Sequence, residues 1–181
     1  MEEKPITVNR HSMNMALPVG GLLILLSILI YILGLNPRDG WMYLSYAVLL
    51  GGIVWSMLKL RNKYFGGSIT YGDSFLTGLL TGLYSGIIMG IYTFVFYKFF
   101  DPAQLQVLKD MAEEAILMSG TPLTDEQIET AITWSHKFMT PGWLSISEVL
   151  NAAFISLLIA LVVAIFIKRA PKDMPFESSA E

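Results

Sequence analysis

The chain has 181 residues, of which 54% are hydrophobic and only 15% charged, and its net charge is −3. Soluble domains carry about 25% charged residues, so this composition points away from a water-soluble globule. The near-neutral charge gives no basic surface for nucleic acid. The absence of cysteine excludes disulfides, thiolate metal sites and cysteine lipidation.

The apolar residues fall into four uncharged blocks. The first runs from Met15 to Leu35, long enough to cross roughly 30 Å of hydrocarbon at about 1.5 Å per residue. It exceeds a signal-peptide core of about 7–15 residues, and no small-x-small cleavage site follows. It therefore reads as an uncleaved first span preceded by a short segment, residues 1–14. Pro18 is expected in the first turn, where a missing N–H costs little. Asn36-Pro37-Arg38-Asp39-Gly40 is a turn sequence. The second block, Trp41 to Leu58, ends at Lys59, Arg61 and Lys63.

A glycine-rich loop from Tyr64 to Asp73 leads to the third block, Ser74 to Tyr97, closed by Lys98. Residues 15–97 are thus read as three spans. Residues 98–145 are the one long polar region. Asp101 is the expected N-cap of a helix with Pro102 at its first position, and Leu105, Leu108, Met111, Ala112, Ala115 and Ile116 recur at helical spacing. Gly120 reads as its stop. Pro122 and the capping box Thr124-Asp125-Glu126-Gln127 predict a second amphipathic helix, ended by Pro141-Gly142. A further capping box, Ser145 with Glu148, predicts the start of the fourth span, residues 146–168. The tail, 169–181, is expected to be disordered.

The fold class predicted is an all-α membrane protein with four transmembrane helices and an amphipathic helical hairpin between the third and fourth. With four spans both ends lie on one side. Lys4, Arg10, Lys59, Arg61, Lys63, Lys168, Arg169 and Lys172 fall there, against Arg38, Lys98, Lys109 and Lys137 opposite. The positive-inside rule then predicts cytoplasmic termini and an extracytoplasmic hairpin. Trp41, Tyr43, Tyr92, Tyr97, Phe99, Phe100 and Trp143 fall near the outer interface, and Tyr64, Phe65 and Tyr71 near the inner one.

The most distinctive pattern is on the third span. Gly78, Gly82, Gly86 and Gly90 repeat every fourth residue, beside a row of Thr77, Thr81 and Ser85. Small residues let helix backbones approach in lipid, so a helix is expected to dock on this face, from the same chain, a second copy or a partner protein. The hydroxyls either line a path or bond back to their own helix carbonyls. No charged residue lies inside the four blocks, which argues against a carboxylate-driven transporter; Asn151 is the most polar side chain there. Asp73 is expected to support the start of the third span. The acidic hairpin residues match no calcium loop, and His11 and His136, the two histidines, fall on opposite predicted sides. No phosphate-binding, dinucleotide or zinc motif is present. No catalytic, metal or cofactor site is expected, and neither is an enzyme.

The segment Gly66-Gly67-Ser68-Ile69-Thr70-Tyr71-Gly72-Asp73-Ser74-Phe75, continued by Thr77-Gly78 and Ser85-Gly86-Ile87-Ile88, resembles a family of small bacterial membrane proteins known only as a domain of unknown function, number 4199. The acidic helical insert before the last span is similar too. The resemblance implies four spans and an inner-membrane location. It implies no activity. The expected function is a non-enzymatic, self-associating or partner-binding component of the bilayer. A small transporter or channel component, using Thr77, Thr81, Ser85 and Asn151, is the alternative, and an envelope sensor using the acidic hairpin is a third.

Overall fold

The computed structural model describes residues 6–35, 40–120 and 124–169, without the side chain of Met42. The predicted turn at 36–39, the helix start at Pro122, the tail beyond Arg169, and Lys4, Arg38 and Lys172 lie outside the described residues. Among the described residues six α-helices follow in order: α1 Val8–Ile32, α2 Met42–Lys59, α3 Tyr71–Val95, α4 Pro102–Leu117, α5 Asp125–Phe138 and α6 Pro141–Ile167. α2 and α3 each end in a wider π turn, Leu60–Tyr64 and Phe96–Phe100. These turns are closed by the N–H of Phe65 on the carbonyl of Leu60 at 3.1 Å and that of Asp101 on Phe96 at 2.8 Å. Among the described residues four helical stretches, 8–32, 43–64, 71–100 and 141–167, are long and apolar enough to cross a membrane.

Three starts differ from expectation. α1 begins at Val8, not near Met15, because Thr7 caps it: its hydroxyl accepts the N–H of Arg10 at 3.3 Å. Residues 8–14 are therefore helix, and Pro18 lies well inside α1 rather than in its first turn. There it removes the donor that would reach the carbonyl of Asn14. α3 begins at Tyr71, not Ser74, because the Thr70 hydroxyl accepts the N–H of Asp73 at 3.0 Å and donates to its carboxylate at 2.7 Å.

α6 begins at Pro141, so Ser145 and Glu148 are interior helical residues and not caps. Thr140 does the capping, accepting the N–H of Trp143 at 3.3 Å. A proline is favoured at the first position of a helix, and the Thr140-Pro141 pair lies upstream of the Ser145 box, so the helix has already begun when it reaches Ser145.

The chain divides into two compact units, residues 1–85 with 152–181, and residues 86–151. The first unit buries polar groups among apolar ones and exposes large apolar side chains. Its interior holds His11, Ser12, Ser56, Ser74, Thr77, Thr81, Ser85 and Ser156, while Leu17, Leu25, Ile32 and Phe166 are exposed. Polar groups inside and large apolar side chains outside suit a surface that meets hydrocarbon. Met15, Val19, Ile53, Met57, Leu60, Ala160 and Ala164 are among the apolar residues of that interior.

In the second unit α4 and α5 lie against each other. The Asp101 carboxylate caps α4 by accepting the N–H of Gln104 at 3.1 Å. Thr124 and Gln127 form a reciprocal box at the start of α5. The His136 imidazole stands 3.8 Å from the Glu113 carboxylate. Neither α4 nor α5 has a buried described residue.

Candidate functional site

The third helix carries the features singled out in the sequence, and the structure supplies its neighbours. A Cβ at Gly78 would lie 2.2 Å from the Met57 side chain and 3.0 Å from that of Ala160. At Gly82 it would lie 1.6 Å from the Ser156 hydroxyl and 2.3 Å from the Ser156 Cβ. At Gly90, in the second unit, it would meet Val149 at 2.7 Å and the Ser145 carbonyl at 3.0 Å. Gly86 is buried. α6 of the same chain is seated on Gly78, Gly82 and Gly90, with Ile53 of α2 also against Gly78 and Gly82. The buried α6 residues Ala152, Ser156, Ala160 and Ala164 also recur every fourth position. Two small-residue rows therefore face each other in the first unit, allowing a backbone approach that larger side chains would block. Similarly, α1 and α2 approach closely where a Cβ at Gly52 would meet Val19 at 2.6 Å.

Beside the glycines runs a buried seam of hydroxyls and one imidazole, drawn from four helices. His11 on α1 reaches the Ser56 carbonyl on α2 at 2.9 Å. A carbonyl only accepts, so the His11 Nε2 carries the proton. Ser12 donates to the Thr77 carbonyl on α3 at 3.2 Å. The Ser56 and Thr81 hydroxyls pair at 2.8 Å. The Tyr64 ring meets His11 edge-on, with centroids 5.5 Å apart. Tyr84 donates to the side-chain oxygen of Asn9.

Most of the seam is occupied with backbone. Thr77 donates to the Asp73 carbonyl at 2.6 Å and Ser85 to that of Thr81 at 2.8 Å. Each such bond satisfies a hydroxyl within its own helix. The buried hydroxyls of Ser74 and Ser156 have no partner among the described residues. Asn151 is exposed on α6. Among the described residues no three His, Asp or Glu come together. The groups present are thus suited to joining helices by hydrogen bonds of about 0.6 kcal/mol each in a bilayer.

Sequence reasoning placed Thr77, Thr81 and Ser85 but did not gather His11, Ser12, Ser56, Ser74 and Ser156 with them. The signal for Ser156 was present as the four-residue spacing from Ala152 to Ala164. His11 and Ser12 were assigned to a segment ahead of the first span, so their place in the seam depended on recognising Thr7 as a cap.

A family model described as a protein of unknown function, DUF4199, matches residues 14–169. Comparison with curated proteins and with solved structures finds no match.

Proposed function

The chain belongs to the DUF4199 family, and from that premise we propose a multi-pass membrane protein that acts by binding a partner in the membrane, without catalysis. Its termini lie on the cytoplasmic side, and α4 and α5 stand outside as the contact surface. The observation that carries this reading is the lack of any buried described residue on α4 or α5. An amphipathic pair normally hides its apolar faces. Here Val107, Leu117, Met118, Trp134 and Phe138 are exposed. Trp134 and Phe138 stack with centroids 5.8 Å apart, and Trp143 meets Phe138 at 5.2 Å. Aromatic clusters of this kind anchor interfaces.

With α6 of the same chain against the small-residue face of α3, α4 and α5 are the assembly surface we propose. The test is lysine crosslinking in native membranes followed by mass spectrometry, reading Lys109 and Lys137. Crosslinks from these lysines to a second copy or to another membrane protein are expected. Crosslinks confined within one chain would sink the reading.

A further inference from the structure

At one end of the first unit the segment between α2 and α3 closes against the end of α6. Ile69 and Arg169 exchange two backbone hydrogen bonds, at 3.0 and 2.9 Å, in an isolated antiparallel bridge. The Arg61 guanidinium donates to the Ile167 carbonyl at 3.3 Å and ties the same ends together. The two glycines of the segment, Gly66 and Gly67, have φ of 61° and 88°, a conformation that glycine alone enters at no steric cost. The result is a held loop rather than a loose connection.

Beneath it lies a concavity of about 580 Å³, lined in part by Phe65, Thr70, Tyr71, Asp73, Lys168 and Arg169. That is the size range of small-ligand sites, roughly 300–1,000 Å³. Lys168 and Arg169 are exposed and form no ion pair with a described residue. Asp73 is the one carboxylate among the described lining residues, and the Thr70 hydroxyl engages it at 2.7 Å. Two cations against one carboxylate leave a single positive charge.

The flank of this concavity is apolar. Leu161 and Ile165 stand at i and i+4, so they share one face of α6, and Lys168 follows directly on the helix's last residue, Ile167. Leu161 is 41% and Ile165 53% exposed, and the Tyr71 hydroxyl reaches the Leu161 carbonyl at 3.4 Å. An exposed apolar stripe thus runs along the helix directly to the cationic pair.

We propose that this concavity binds an anionic phospholipid, with the phosphate on Lys168 and Arg169 and an acyl chain along Leu161 and Ile165. Basic pockets between spans at the cytoplasmic face suit such headgroups. A single negative charge matches the lining's net charge. A polyol headgroup also brings hydroxyl donors that Asp73 can accept. The inference rests on the reading of the four long helices as membrane spans.

Native mass spectrometry of the full chain in detergent tests it, with titration by phosphatidylglycerol, by phosphatidylcholine and by inorganic phosphate. Retained phosphatidylglycerol in preference to phosphatidylcholine is expected. The double variant Lys168→Gln/Arg169→Gln should retain it at least about tenfold less, since each basic residue near an anionic lipid contributes to its attraction. Lys63→Gln, an exposed charge outside the lining, should leave retention unchanged. Equal retention in the double variant, or no preference for the anionic lipid, overturns the proposal. Displacement of the lipid by millimolar inorganic phosphate also overturns it, because the site would then read free phosphate. Carbonate extraction of native membranes separates the two readings: release of the chain defeats the span assignment whatever the lipid result.

Discussion

Gly82 is the position where one atom decides the packing. A methyl group there has to displace the Ser156 side chain at its Cβ, only 2.3 Å away, and a Cβ cannot swing aside as the tip of a long side chain can. Overpacking of this kind costs about 1–3 kcal/mol. Gly82→Ala is therefore expected to lower the thermal midpoint of the protein in detergent. Gly51→Ala, where nothing lies within 4 Å, should not. Adding Ser156→Gly to Gly82→Ala moves the small residue to the other helix and should recover part of the loss. No recovery would mean that the clash is not with Ser156. The same scale explains why the hydroxyl rows were only half legible. Thr77, Thr81 and Ser85 stand out on one helix, but the pairing of Thr81 with Ser56 at 2.8 Å joins residues 25 positions apart, and no local pattern announces it.

Helix boundaries belong to the next scale, and there short patterns compete. Asp101 with Gln104, and Thr124 with Gln127, form their bonds within three residues, so every atom involved is visible in a short stretch of sequence. The start of α6 offers two such patterns, Thr140-Pro141 and Ser145 with Glu148, and the upstream one prevails. Thr140→Ala should cost about 1 kcal/mol. Ser145→Ala at an interior position should cost less than about 0.5 kcal/mol. Hydrogen exchange at the Trp143 amide reads the difference directly: it should speed up in the first variant and hold steady in the second. Faster exchange at the Glu148 amide in the Ser145 variant, with the Trp143 amide unmoved in the Thr140 variant, would restore Ser145 as the cap. α1 teaches the same lesson. Its charged and polar opening, from Val8 to Asn14, hid a helix start because hydropathy marks where lipid contact begins, whereas Thr7 marks where the backbone begins to coil.

For the molecule as a whole, the proposed orientation rests on the uneven distribution of Lys and Arg along the sequence. Asn62 and Met118 are both exposed and fall on opposite predicted sides. The chain has no cysteine, so Asn62→Cys and Met118→Cys can each be labelled without background. A membrane-impermeant maleimide applied to intact cells should modify Met118→Cys at once and Asn62→Cys only after permeabilisation. The reverse pattern would invert the topology and move the cationic concavity to the outer leaflet.

The sequence by itself determined that the chain is helical and has four helices able to span a bilayer, because both properties are sums over consecutive residues. About 20 apolar side chains in a row leave few other outcomes. It also marked α3 as a helix built for close approach. The tertiary structure decided what lies against it. α6, rather than a second copy, occupies the glycine row, because the spacing from Ala152 to Ala164 presents a complementary face. Tertiary structure likewise drew His11, Ser12, Ser56, Thr81 and Ser156 into one polar interior, and brought Arg169 to Ile69 across 100 residues of chain. Such contacts depend on where helices meet in space, and helical periodicity specifies a face without specifying the partner that covers it.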